Sequence, residues 1–275
     1  MTRYIFLHQV KTGGKTVEKF LLRKFKEDFL KTTILFPDES LNNIFDTLST
    51  SDSHKIKQMN GAKVVSGHFP FGIHNLLDGD SQYFTILRDP IFRIRSYYTY
   101  SLNSKGSRIY SFLTENNVTF DQFVQMEKSD IDRSGVHELN YVLEDGQAKL
   151  LAGADISIGQ NYGSPLLEEA KNNIRKHFGF IGVTELFDDS FIQISRLLGY
   201  GSFSLYTTQN QTNIEVDMNE NVKSIIHERN SADQILHKEA YDNVYSNRNS
   251  LLNGFARTYL KYGSSLADTY VKLRM

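Results

Sequence analysis

The sequence predicts an α/β fold in which a mostly parallel sheet is covered by helices on both faces, in one domain over residues 1–275. Three observations lead there. Short apolar runs rich in β-branched and aromatic residues recur at Tyr4–Val10, Ala62–Val65, Tyr83–Leu87 and Phe178–Val183, each bounded by turn residues. Stretches with helical spacing of apolar residues lie between them, the alternation expected of a parallel sheet. No internal repeat or low-complexity linker divides the 275 residues, a length that buries a substantial core.

Taken in order, Tyr4–Val10 reads as a buried strand that runs into a turn at Gly13 and Gly14. From Thr16 the spacing predicts a helix with Val17, Phe20, Leu21 and Phe25 inward. Residues 31–60 are polar and read as loop with one short amphipathic helix. Ala62–Val65 is the second strand, broken at its tip by Ser66-Gly67-His68-Phe69-Pro70. Tyr83–Leu87 is the third, followed by a helix whose first turn accepts Pro90. Thr119 and Gln122 form a capping-box pattern opening a helix through Met126, and Gln147–Gly153 is a short helix. Leu166–His177 is an amphipathic helix leading into the fourth strand, and Phe187–Leu198 is a helix stopped by Gly199. Phe203–Asn213 reads as a polar loop. Ser231 and Gln234 predict another capping box, opening a helix through Tyr245 with Ile235, Leu236, Ala240 and Val244 inward.

Composition narrows the function classes. A net charge of −1 speaks against general nucleic-acid or membrane-surface binding, so any basic patch must be local. Without cysteine the chain has no disulfide framework and no thiolate nucleophile or metal ligand, which suits a reducing compartment. No apolar run approaches the roughly 20 residues of a membrane span, so the expectation is a cytoplasmic protein without a membrane segment. Metal is not expected, because no ligand cluster has metal spacing.

The chemistry concentrates at Tyr4–Thr16, Y-I-F-L-H-Q-V-K-T-G-G-K-T. A strand, a glycine turn and a helix start carrying Lys11 and Lys15 make an anion site from free amides, a positive dipole end and two ammonium groups. The nucleotide P-loop pattern is met at Gly14, Lys15 and Thr16, but its first glycine is replaced by Gln9. His68 stands at the end of a strand, where open parallel sheets bind ligands. Arg88, Arg93 and Arg95 with Ser96 gather near one helix start, and Arg88 with Ser96 could clamp a second anion. His8, within the first strand, and His74, just past the His68 turn, compete with His68 as the candidate base.

Together, H-Q-V-K-T-G-G-K-T, S-G-H-F-P and I-L-R-D-P-I-F-R-I-R-S-Y-Y resemble the carbohydrate sulfotransferases of the heparan 2-O-sulfotransferase and galactose sulfotransferase type. Phe178–Phe191 and Asn230–Ala240 are similar to that family as well. The resemblance implies a P-loop-like three-layer fold and transfer of a sulfuryl group from 3′-phosphoadenosine 5′-phosphosulfate to a hydroxyl, leaving adenosine 3′,5′-bisphosphate. It implies that Lys11 contacts the phosphosulfate and that Gly13, Gly14, Lys15 and Thr16, with Thr12 beside them, cradle the 5′-phosphate. It also implies that Arg88 and Ser96 hold the 3′-phosphate and that His68 is the general base. Lys15 departs from the Thr or Ser usual there, which opens the question of how it divides work with Lys11. The expected acceptor is a glycan or glycolipid, with Phe69, Phe71, Tyr97 and Tyr98 as candidates to stack on sugar rings. Two other readings compete. One is a P-loop kinase or NTPase with Asp89 as a magnesium carboxylate, and the other is a nucleotide- or glycan-binding module without catalysis.

Overall fold

The computed structural model describes residues 2–32, 53–107, 109–153, 163–202, 204–206, 216, 218–248 and 254–263. The loops expected within 33–52 and 207–213 lie outside the described residues. At the centre is a five-stranded, all-parallel sheet in the order β2-β3-β1-β4-β5. Its strands are β1 (Arg3–Leu7), β2 (Phe29–Lys31), β3 (Val64–Gly67), β4 (Ser81–Leu87) and β5 (Phe178–Val183). The α/β class read from the sequence is therefore the observed one. β2, at three residues, is too short for a periodicity argument and is the strand the sequence reading missed.

Alternation along the strands explains the layers. In β1, Phe6 points to one face, where it joins Val17, Phe20 and Leu21 of α1 (Gly14–Phe25) and Phe191 and Ile194 of α10 (Phe187–Leu197). Ile5 and Leu7 point to the other, onto Phe69, Tyr83 and Leu150. That face continues with Leu87, Val183 and α8 (Gly146–Ala152), α9 (Gly163–His177) and α12 (Ser231–Asn247). A third cluster joins α3 (Pro90–Asn103), α4 (Tyr110–Glu115), α5 (Phe120–Val124), α6 (Lys128–Ser134), α7 (Leu139–Leu143) and α11 (Glu220–Arg229) around Tyr97, Phe123 and Ile226. A short helix α2 (Ser53–Gly61), one at 254–263 and three 3-10 turns at Lys26–Asp28, Ile73–Leu76 and Thr184–Leu186 complete the described elements.

Several local expectations change. The capping box at Thr119 and Gln122 is made in both directions, but its helix ends at Val124. At Ser231 no side-chain cap forms; Asp233, the candidate interior of that box, is instead buried and accepts from Arg93, Gln147 and Ala148. Leu236, Ala240 and Val244 are inward as the spacing requires, whereas Ile235 is 42% exposed. Three of the four sugar-stacking candidates are core residues: Phe69, Tyr97 and Tyr98 are buried, Tyr97 donates to Glu138, and Tyr98 donates to the Val118 carbonyl, while Phe71 is half-buried against Tyr83, His177 and Phe178.

The topology fixes where a site can be. After β1 the chain builds β2 and β3 on one side of it and then β4 and β5 on the other, so the connections diverge at the carboxyl end of β1, the crevice where open α/β sheets bind ligands. Leu7 pairs with Gly67, so the residues that follow, His8 and His68, leave the sheet side by side.

Candidate active site

A cavity of about 440 Å³ opens at that crevice. It is lined by His8 and Lys11 after β1, Gly13 to Thr16 at the start of α1, His68 after β3, Arg88 after β4 and Ser96 on α3. The structure thus brings together every anion-site candidate of the sequence except Thr12. That side chain is fully buried and its hydroxyl donates to the Gln9 carbonyl at 3.0 Å, which closes the turn.

The loop's conformation follows from its residues. Lys11 has φ 65°, an unusual conformation for a side-chain-bearing residue that costs on the order of 1 kcal/mol. It is held there because its carbonyl accepts from Arg88 Nη1 at 3.0 Å. Gly13 takes φ 84°, and a Cβ on it would come within 2.9 Å of the Phe187 ring. At Gly14 a Cβ would lie 2.1 Å from both Cδ2 and Nε2 of His8. The two glycines therefore answer to different constraints, a left-handed turn and the passage of an imidazole. Thr16 N–H closes on the Gly13 carbonyl, while the first-turn amides of Gly14 and Lys15 have no intrahelical acceptor to take them.

Three cations converge without an acid to neutralise them among the described residues of the cavity lining. Lys11 Nζ lies 4.0 Å and Lys15 Nζ 5.4 Å from the centre of the Tyr100 ring, so both ammonium groups pack on one aromatic ring. Burial, and then the charges of Lys15 and Arg88, lower the Lys11 pKa to about 8. Burial also lowers the Arg88 pKa, and its buried Nε has no partner among the described residues. Such a cluster is poised for an anion with more than one charged end.

Arg88 is positioned by a polar network that spacing did not reveal. Gln147 Oε1 accepts from Arg88 N at 2.9 Å and Gln147 Nε2 donates to the Arg88 carbonyl at 2.9 Å. Gln147 is in turn fixed by Asp233. Thr184 donates to the carbonyls of Thr12 and Leu87, tying the loop to the end of β4. The other two arginines of the sequence cluster go elsewhere. Arg93 is buried and pairs with Asp233 at 3.3 Å, and Arg95 stacks over Phe92. Asp89 caps α3, accepting from the amides of Ile91 and Phe92.

His68 is held by the main chain of His8. Its Nδ1 lies 2.6 Å from the His8 carbonyl oxygen, which can only accept, so Nδ1 carries the hydrogen and Nε2 the lone pair. Burial, and then the neighbouring His8, lower its pKa to about 3, against the opposing pull of that hydrogen bond and of Glu18. Of its competitors, His74 packs away from the cavity against Tyr83 and His177. His8 is not in the strand, which ends at Leu7; it lines the cavity with its ring 4.2 Å from that of His68.

A family model described as galactose-3-O-sulfotransferase matches residues 1–243. Among solved structures, a sulfotransferase from Alicyclobacillus acidocaldarius is similar at 12% identity with a TM-score of 0.48, over 87% of this chain and 95% of that one. No curated protein matches the chain.

Proposed function

The chain belongs to the galactose-3-O-sulfotransferase family, and on that premise we propose that it moves a sulfuryl group from 3′-phosphoadenosine 5′-phosphosulfate to a carbohydrate hydroxyl. The family name makes a galactose-bearing glycan or glycolipid the first acceptor to consider. The observation that carries the reading is a free imidazole lone pair, His68 Nε2, in the same cavity as Lys11, Lys15, Arg88 and the α1 N-terminus. A base and an unneutralised anion site within one cavity are what transfer to a hydroxyl requires.

The residues present fit a donor with two anionic ends. The Arg88 guanidinium and the Ser96 hydroxyl, which both line the cavity, suit its 3′-phosphate, and the amides of Gly14 and Lys15 with the Lys11 ammonium suit the phosphosulfate. When bound, the donor supplies a sulfuryl group activated by its bond to phosphate. His68 Nε2 takes the acceptor's hydroxyl proton as that oxygen bonds to sulfur. Lys11, seconded by Lys15, offsets the charge that moves onto the departing 5′-phosphate as the sulfur–oxygen bond breaks. Nothing favours the kinase alternative's magnesium carboxylate: Asp89 caps α3 through Oδ1 and is not among the described residues that line the cavity.

Calorimetry tests the nucleotide half of this reading. Adenosine 3′,5′-bisphosphate should bind more tightly than magnesium ATP, and Arg88→Ala should weaken it by roughly ten- to a hundredfold, the loss of one charged hydrogen-bonding group. Preference for magnesium ATP, or an Arg88→Ala variant with unchanged affinity, would contradict it.

A further inference from the structure

We propose that Tyr100 is a positioning residue of this site, its ring holding the Lys11 and Lys15 ammonium groups together, charged and un-neutralised, where the donor's phosphosulfate binds. The proposal rests on the sulfuryl-transfer reading above and deepens it by naming what prepares the two lysines. Tyr100 touches neither donor nor acceptor in this role; it acts through the lysines.

The lysines need such a partner. The main chain of Lys11 is fixed by the hydrogen bond its carbonyl accepts from Arg88, but its side chain is a long, flexible stem. Neither ammonium makes a hydrogen bond or ion pair among the described residues, and each packs instead on Tyr100, at 4.0 Å for Lys11 and 5.4 Å for Lys15. Two like charges brought to one ring repel each other, and the attraction of the ring for both offsets part of that repulsion. A carboxylate would hold them more strongly, but it would also cancel their charge and compete with the incoming anion. The negative face of an aromatic ring attracts a cation and leaves it cationic.

The ring itself is firmly held. Tyr100 lies on α3, whose start is capped by Asp89 and which is anchored by the buried Arg93–Asp233 pair and by Ile94, Tyr97 and Tyr98 in the core. Tyr97 and Tyr98 have their hydroxyls committed to Glu138 and the Val118 carbonyl, while Tyr100, the last tyrosine of the run, lines the cavity. Ser96 lines it one helical turn earlier, so one helix face carries both the hydroxyl suited to the 3′-phosphate and the ring that sets the lysines. α3 thereby ties the two ends of the donor site together.

The charges of the cavity make the ring's contribution measurable. The titratable groups that line it with Lys11 are His8, Lys15, His68, Arg88, Tyr100 and Tyr206, with no carboxylate among the described residues of the lining. Burial, and then Lys15 and Arg88, lower the Lys11 pKa to about 8. An aromatic face favours the ammonium over the amine, so removing it lowers that pKa further and shortens the pH range over which Lys11 is charged. With Nζ 4.0 Å from the ring centre, that side of the ring is taken, which leaves no room for a sugar stacked between them.

The test compares Tyr100→Leu with Tyr100→Phe in the full chain, by transfer from the phosphosulfate donor and by NMR titration of the Lys11 side chain, assigned through Lys11→Arg. Tyr100→Leu should lower kcat/KM for the donor about three- to thirtyfold, the worth of a partly desolvated cation–π contact. It should also lower the Lys11 pKa by about half a unit to one and a half, and move the alkaline limb of kcat/KM with it. Tyr100→Phe keeps the ring, so it should restore kcat/KM to within about threefold of wild type and return the titration to its wild-type position. A Lys11 titration unmoved in Tyr100→Leu overturns the proposal, as does a Tyr100→Phe variant as impaired as Tyr100→Leu, which would credit the hydroxyl and not the ring. So does a Tyr100→Leu defect confined to the KM of the sugar, which would make the ring an acceptor platform. If the wild-type chain transfers and Tyr100→Leu matches it, only this inference fails; if the wild-type chain does not transfer, the proposed function fails, and the titration still decides whether the ring holds the lysines.

Discussion

His68→Ala is expected to fold, to bind adenosine 3′,5′-bisphosphate as the wild type does, and to lose sulfuryl transfer by roughly 10²- to 10⁴-fold, the usual worth of a positioned general base. The expectation rests on tautomer and place. Nδ1 is committed to the His8 carbonyl, which leaves Nε2 as the acceptor within the cavity. The environment also predicts an unusual pH response. Without ligand, burial and His8 hold the pKa at about 3, so kcat/KM, which reports the free enzyme, should show no acid limb from this residue near the ordinary value of about 6.5. A bound anionic donor favours the imidazolium and raises that pKa towards the range where a base is effective, so the acid limb of kcat should lie at higher pH than that of kcat/KM. The same depression bears on stability. Because the folded pKa lies below the unfolded one, the histidine's contribution is complete above about pH 6.5 and declines as pH falls towards 3, by at most about 1.4 kcal/mol per pH unit. A His68→Ala variant with wild-type kcat would remove it from the base role.

Lys11→Ala should cost about 10²- to 10³-fold in transfer, comparable to the loss of a donor aimed at developing charge. Lys11 is the more informative of the two lysines because its ammonium is the more perturbed. Burial and the charges of Lys15 and Arg88 lower its pKa to about 8, so the charge that the leaving phosphate requires is lost as pH rises through that value. The alkaline limb of kcat/KM should therefore fall near pH 8. It should vanish in Lys11→Arg, whose guanidinium does not titrate there, whatever that substitution does to the absolute rate. A limb that persists unchanged in Lys11→Arg would assign it to another group. Lys15 lies farther from the Tyr100 ring than Lys11 does, and its truncation should cost less than that of Lys11.

The sheet and much of the site could be read from the sequence because their signals are local. Four of the five strands carry apolar runs, Pro90 and Gly199 mark helix ends, and the glycine turn between a strand and a helix announces an anion site within a few residues. The place of His68 in the crevice was legible from its position after a strand, whereas its role as base came from the resemblance. What could not be read depends on pairing across the chain. Gln147 is 59 residues from Arg88, and nothing in a short helix distinguishes it from any buried amide. Arg93 and Arg88 look alike in the sequence, and only Asp233, 140 residues from Arg93, draws one into the core and leaves the other in the cavity. Tyr100, Phe187 and Tyr206 line the cavity where the sequence had offered other aromatics, because ring content does not tell which rings the core consumes. One signal was available and unread. Glu18 falls on the inward face of α1 between Val17 and Leu21, and an acid among buried positions calls for a partner, here His8.

The central claim, transfer of a sulfuryl group to a sugar hydroxyl, is tested most directly by incubating the chain with donor labelled on sulfur and a galactose-terminated oligosaccharide. The predicted result is label on the sugar with an equal amount of adenosine 3′,5′-bisphosphate released, requiring His68. Donor that binds but leaves every sugar hydroxyl unlabelled, or phosphate transferred from ATP in its place, would contradict it.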